Sequence, residues 1–447
     1  MYSNKSRRWP LFVALCGFLG GLMLAAPNAT AVPSMARQSG YECAKCHTVF
    51  PELTPFGRQF KLGAFSTSSE KWDAKLALDR LPFSGALKVS RAKTAETDTP
   101  GAMATDFPQE NKLFVETVAA YYGGKITSNS GALVQYNYDG VEKRWAMEMF
   151  DVRYANGMTL ADKELAYGVT LNNSPTVSDI YNSTPSWGFP NGRGLAKMPT
   201  ATLVDMTLAS QVGGVGLYGM WNDLIYAEVA TYRTAKTGAF RFMGSGVEQK
   251  QVLDGNAPYW RLALQKEDGP NSFELGTYGL VGDVRSDPEN AGAGTDHFRD
   301  IGFDASYQYI KGPHIVSAHG NYIRERQTWN QNPELGRTAS ETGTLNTFRA
   351  DVRYSFQRKW GGSLQYFRTS GSSNPNYDNG DAVMGSANAS PDANGWITEL
   401  NYLLLQNVKM TLRYTAFQKF NGAKTNYVPG RNASDNNNLY LTAWIPF

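Results

Sequence analysis

The chain has 447 residues, 42% of them hydrophobic and 13% aromatic, with a formal charge of only +3. Such a length suggests two or three soluble domains, yet the abundance of Gly, Asn, Ser and Thr is that of many half-exposed strands. The small charge, with no basic run, excludes nucleic acid as a partner, and no internal apolar run reaches the roughly 20 residues of a membrane helix.

Lys5, Arg7 and Arg8 form a positive n-region, residues 9–25 an apolar h-region, and the Ala-Thr-Ala of 29–31 a small-residue cleavage site. Residues 1–31 therefore read as an export signal. Cys16 lies inside it, and Leu15 lacks the small side chain that precedes a lipidated cysteine. The expected mature chain keeps only Cys43 and Cys46.

Cys43-Ala44-Lys45-Cys46-His47 has the spacing of covalent c-type haem attachment. Thiols three residues apart form thioethers with the two haem vinyl groups, and His47 falls under the iron as proximal ligand. A zinc site needs four ligands, usually two such pairs, and a redox dithiol expects a βαβ context. Neither is present. The haem segment spans residues 32–80, with a helix opening at Cys43, breaks at Pro51 and Pro55, and a second helix over 57–62. Phe50, Phe56, Leu62 and Phe65 are candidates to cover the macrocycle, and Arg58 or Lys61 to pair with a propionate; ordinary packing is the alternative for the aromatics. A segment this short does not bury a haem alone. No Met or His lies between His47 and Pro82, so the sixth position is open or filled by Met35, Met198 or the later chain.

From about Phe83 the chain alternates in polarity over segments of about ten residues, as outer-membrane strands do. Val408, Met410, Leu412 and Tyr414, for example, interleave with Lys409, Thr411, Arg413 and Thr415. The segments are 83–91, 112–122, 130–138, 143–154, 163–171, 211–219, 224–233, 257–266, 271–283, 299–309, 314–325, 346–356, 360–369, 395–404, 407–417 and 437–447. Of these, 112–122 and 143–154 alternate poorly. A soluble half-buried sheet alternates in the same way. The apolar ending Leu439, Leu441, Ala443, Ile445 and Phe447, and the alternation of short and long connections, favour a barrel. The expected fold is thus all-β: residues 81–447 as an outer-membrane barrel of about 16 antiparallel strands, behind a short α-helical cytochrome plug. An even strand number places both termini on the periplasmic side. The longest connection, about 172–210, either folds into the lumen or stays on the surface.

Period-two geometry puts His314 toward lipid and His319 toward the lumen, which makes His319 a candidate distal ligand. His297 is expected in a loop beside Asp296. Loop acids Asp283, Asp287, Glu289 and Asp296 either draw cations or are solvated loop charge.

Residues 33–65 carry Pro-Ser-Met-Ala-Arg-Gln-Ser-Gly, then Cys-Ala-Lys-Cys-His, then Leu-Thr-Pro-Phe-Gly-Arg-Gln-Phe-Lys-Leu. With the later Thr-Pro-Ser-Trp-Gly-Phe-Pro loop, they resemble the fused cytochrome–porin family. The resemblance implies a monohaem cytochrome plugging a sixteen-stranded barrel, with one covalent haem c on Cys43 and Cys46 and His47 as proximal ligand. The best-known members oxidise extracellular Fe(II). The implied function is electron transfer across the outer membrane, from an extracellular donor such as Fe(II) to a periplasmic c-type cytochrome, in contact with outer-membrane lipid. No catalytic triad or carboxylate pair is required. The alternatives are a redox porin with another donor or acceptor, and a diffusion porin in which haem is structural.

Overall fold

The structure, a computed structural model, describes residues 33–48, 52–66, 81–95, 111–141, 143–184, 201–234, 251–290, 292–331, 340–373, 389–405 and 407–447. The expected export signal of residues 1–31 lies outside them. Sixteen strands pair antiparallel in chain order, and the first closes onto the last. They are β1 (Phe83–Thr94), β2 (Leu113–Lys125), β3 (Ser130–Asp139), β4 (Arg144–Leu160), β5 (Lys163–Asn172), β6 (Val212–Trp221), β7 (Ile225–Thr234) and β8 (Ala257–Asp268). Then follow β9 (Asn271–Arg285), β10 (Thr295–Lys311), β11 (His314–Thr328), β12 (Thr342–Phe356), β13 (Trp360–Gly371), β14 (Ala393–Leu405), β15 (Val408–Lys419) and β16 (Asn438–Pro446).

The period-two pattern decides which way each strand faces. Leu264, Leu275, Phe303, Val352, Leu364, Leu400 and Leu412 stand exposed on the outside, while Arg261, Glu274, Asp304, Asp351, Glu399 and Arg413 are buried inside. This inverts a soluble protein: the apolar face meets lipid and the polar face lines the lumen. Aromatic pairs gather at the rim that carries the short turns. Phe273 lies 5.0 Å from Tyr307, Trp360 lies 4.2 Å from Tyr402, and His314 stacks on Tyr354 at 6.1 Å, facing outward. Such girdles mark a membrane interface.

The connections on that rim are tight. Ala161 and Asp162 both have positive φ (50° and 56°), as do Gln357 and Arg358 (53° and 55°). Positive φ at two successive residues suits the right-handed twist of the flanking strands. The barrel closes where Gly85 and Phe447 exchange two backbone hydrogen bonds of 2.8 Å. A Cβ on Gly85 would sit 2.7 Å from the Phe447 ring, so the glycine makes room for the terminal aromatic.

Two bulges account for the weak alternation of the early segments. The β1–β2 register slips between Lys88 and Val89, leaving Glu116 as the extra residue. The β3–β4 register slips between Gln135 and Tyr136, leaving Glu148 extra. An inserted residue reverses the in-out order beyond it. His297 lies in the ladder of β10, paired with Asp283 of β9, and not in a loop as expected. Past the lipid band a strand keeps its hydrogen bonds without needing apolar alternation, so the sequence signal stops before the strand does.

The long connection after β5 enters the lumen. Thr176, Ser178, Asp179 and Ile180 are buried there, and so are Leu203 and Val204 of its returning arm. The Leu203 and Val204 N–H groups donate to Glu325 (2.6 Å) and Asp300 (2.7 Å) on the inner wall.

Candidate functional site

Among the described residues, three short helices precede the barrel: α1 (Pro33–Ser39), α2 (Cys43–Cys46) and α3 (Pro55–Leu62). They sit in the end of the lumen that carries the short turns and the C-terminal Phe447. Arg37 of α1 donates to the Phe83 carbonyl at 2.5 Å, and the Gln38 side chain accepts from the Lys125 N–H at 3.0 Å. Cys43 packs against Ala86, Ala119, Tyr121 and Trp444 of the inner wall.

Thr54 clasps α3 to α2. As N-cap of α3 its hydroxyl accepts from Gly57 N–H at 3.1 Å and donates to the Lys45 carbonyl at 2.6 Å. Its own N–H donates to the Cys46 carbonyl at 2.9 Å. Pro55 at the first helical turn lacks only a donor that the helix would not use. The two helices touch so closely that a Cβ on Gly57 would lie 2.1 Å from the Cys46 carbonyl oxygen. Gly57→Ala is therefore expected to push α2 off α3 at a cost of about 1–3 kcal/mol, the range for overpacking. Limited proteolysis should show new cleavage between residues 33 and 81 in the variant, with the barrel itself still intact.

His47 leaves the helix in extended conformation, and its N–H donates to the Cys43 carbonyl at 2.8 Å. Its Nδ1 lies 3.2 Å from the Glu52 carbonyl oxygen. A carbonyl only accepts, so Nδ1 holds the proton and Nε2 keeps the lone pair, the arrangement that a metal-bound histidine needs. Burial, with the neighbouring Cys43 thiolate adding, pushes the Cys46 thiol up to about 11. A redox dithiol wants the opposite shift. The geometry thus fits covalent haem attachment at Cys43 and Cys46 with axial ligation by His47.

The other expected contacts fall differently. Phe56 packs edge-on to Tyr41 at 5.0 Å, with Lys45 Nζ 4.7 Å from its ring centre. Together with Ala44, Pro55, Gln59 and the turn residues Asn222, Asp223 and Arg358, it lines a cavity of about 1020 Å³ at the turn rim. Phe50 and Met198 lie outside the described residues. Leu62 packs on Ile180, Tyr181, Tyr218, Met220 and Tyr226. Phe65 lies 5.6 Å from the Arg153 guanidinium.

Arg58 and Lys61, expected near a propionate, are spent on wall and loop. Arg58 donates to Ser272 Oγ (2.6 Å) and Gln308 Oε1 (3.3 Å) and lies 3.7 Å from Glu267. Lys61 donates to the Val177 and Asp179 carbonyls at 2.8 and 2.6 Å. One helix thus anchors the plug both to β9 and β10 and to the inward loop. Sequence reasoning missed this because the partners are more than 100 residues away.

His319 faces the lumen. Its Nδ1 lies 3.2 Å from Asp351 Oδ2 and 3.5 Å from Glu52 Oε1, which leaves Nε2 as the nitrogen for any haem iron. The candidate cation-attracting acids are engaged locally. Asp283 bonds His297 at 2.8 Å, Asp296 is buried and accepts the Gln331 N–H at 3.0 Å, and Asp287 accepts the Glu289 N–H at 3.0 Å.

No protein-family model matches the chain, and no curated protein matches it. Among solved structures it is similar to the Salmonella typhi OmpF complex with daunomycin, at 13% identity over 82% of this chain and 97% of that one, with a TM-score of 0.48. DcaP, an outer membrane channel of Acinetobacter baumannii, gives 10% identity over 82% and 96%, with a TM-score of 0.46. In-vitro-folded OmpT of Vibrio cholerae in its trimer form gives 9% over 82% and 98%, with a TM-score of 0.44. The strand count and closure rest on this chain's own ladder. The chain is a closed, sixteen-stranded antiparallel barrel with a helical N-terminal plug.

Proposed function

We propose that the barrel lies in a bacterial outer membrane and carries one covalent haem c in its plug. In this reading it moves electrons from an extracellular donor of the Fe(II) class to a soluble c-type cytochrome in the periplasm. The observation that supports it best is the seating of Cys43, Cys46 and His47 in the mouth of a closed barrel, with His47 Nδ1 bound to the Glu52 carbonyl. A bound haem supplies a one-electron centre within an otherwise insulating apolar band about 25 Å tall. The residues around it do the rest. Glu52 holds the proton on His47 Nδ1, Thr54 fixes α3 over α2, and the loop of residues 173–184 covers the inner side of the plug. Short turns face the periplasm in such barrels and long loops face outward. The plug and both termini then lie on the periplasmic side, within reach of a soluble partner.

The barrel architecture favours a second reading, a diffusion porin in which the plug is structural. Its basis is the sixteen-stranded wall, the inward loop and the cavity of about 1020 Å³ at the mouth. Adding Fe(II) to the oxidised, detergent-purified protein separates the two. The first reading expects a reduced c-type spectrum. A spectrum that answers dithionite but not Fe(II) favours the second or a different donor, and a protein without covalent haem removes the first altogether.

A further inference from the structure

We propose that Glu52, His319 and Asp351 form a site for one divalent transition ion of the zinc class, bridging the plug to the barrel wall. His319 of β11 and Asp351 of β12 are direct register partners facing the lumen. Glu52 reaches them from the plug, between α2 and α3. One nitrogen or oxygen from each of the three lies within 4.8 Å of the others.

Glu52 is the residue that points to an ion. It is 3% exposed. Its Oε2 accepts the Thr48 hydroxyl at 2.7 Å, which turns the carboxylate, while the buried Oε1 accepts no hydrogen bond. The nitrogen atoms closest to Oε1 are His319 Nδ1 at 3.5 Å and Arg353 Nη1 at 3.4 Å, ion-pair distances at which neither donates a hydrogen bond to it. A buried acceptor left without a hydrogen bond is costly. Arg353 commits its Nε to Asp351 Oδ2 at 2.8 Å. With His319 neutral, as a metal ligand must be, the cluster sets two carboxylates against one guanidinium, and its remaining negative charge favours a cation.

The donor set selects the ion. One imidazole with two carboxylates suits borderline divalent metals, which take nitrogen and oxygen together. Calcium and magnesium prefer oxygen throughout. A cavity of about 20 Å³ beside the cluster, lined by His319, Asp351 and Asn321 among others, has room for a single water as fourth ligand. The Thr48 hydroxyl on Glu52 and Arg353 on Asp351 are the outer partners that orient such ligands. An ion held here cross-links the segment around Glu52 to two adjacent strands. The proposal needs no haem and stands whether or not the haem reading does.

Zinc is the probe, because it is counted separately from any haem iron. Tag-free, chelator-stripped protein in detergent, dialysed against Zn2+, is expected to retain one zinc per chain. Glu52→Gln, Asp351→Asn and His319→Ala should each abolish that retention. Thr48→Val should weaken it about tenfold, the lower end for losing an outer partner. Glu399→Gln, a lumenal carboxylate outside the cluster, should leave it unchanged. Heat-modifiable migration on gels verifies that each variant is a closed barrel. The X-ray absorption fine structure of zinc-loaded wild type decides the matter even where a variant does not fold: one imidazole nitrogen with carboxylate oxygens is expected. No retained zinc, equal retention in the three folded ligand variants, or a shell without a single imidazole overturns the site.

Discussion

Cys43→Ser, Cys46→Ser and His47→Ala are each expected to abolish the native c-type haem signal. The serine variants replace sulfur by oxygen at nearly constant volume. The packing of Cys43 on Ala86 and Trp444, and the close approach of Gly57 to the Cys46 carbonyl, should survive them. What is lost is the thioether, and with it haem that stays on the chain through denaturing electrophoresis. His47→Ala leaves both thiols but removes the axial nitrogen that Glu52 holds in place. That variant should lose the native spectrum while retaining some covalent stain. All three should still migrate as heat-modifiable barrels, because the sixteen-strand ladder makes no demand on these residues. Covalent haem with an unaltered spectrum in all three would mean that the attachment signature is accidental here.

The sequence exposed the barrel because lipid and lumen impose opposite chemistry on alternate residues. Where that demand held, as in the middle of β15 with Leu412 and Tyr414 outside and Thr411 and Arg413 inside, the faces were assignable, though Val408 at its end is buried. It failed at Glu116 and Glu148, where a single inserted residue reverses the order, and beyond the lipid band, where His297 pairs with Asp283 without an apolar partner to announce it. The Cys-Ala-Lys-Cys-His signature behind the haem proposal is readable in the sequence because it is local, five consecutive residues. The plug's attachments were not. Arg58 finds Ser272 and Gln308, Lys61 finds Asp179, and Glu52 meets His319 and Asp351, all across sequence separations that no periodicity encodes. The inward course of residues 173–184 was undecidable for the same reason, since a polar loop folded against a polar lumen reads like a surface loop.

Arg261→Met is expected to release that inward loop. The guanidinium is fully buried on β8 and holds three carboxylates at once: Asp179 of the loop at 3.1 Å, Glu274 of β9 at 3.0 Å and Asp304 of β10 at 2.7 Å. It also lies 5.2 Å from the Tyr181 ring and 5.5 Å from that of Tyr278. Methionine keeps most of the length but leaves three buried acids facing one another without a cation. Removing one partner of a buried ion pair costs about 3–5 kcal/mol, and the cheapest relief is for Asp179 to move, because the other two are fixed in the ladder. The loop then loses its one carboxylate tie to this cluster while Lys61 and Arg153 still hold its Asp179 and Ser178 carbonyls and Tyr181 still bonds Gln265. The expected results are a lower temperature for the heat-modifiable gel transition and a larger single-channel conductance in planar bilayers. Acid should partly restore both, since protonated carboxyls no longer require the cation. Arg285→Met is the control. Its pair with Asp254 spans 3.4 Å between a half-buried and an exposed side chain, and such surface pairs contribute about 0–1 kcal/mol. An Arg261→Met barrel with unchanged transition and conductance would show that the loop is held by its other contacts alone.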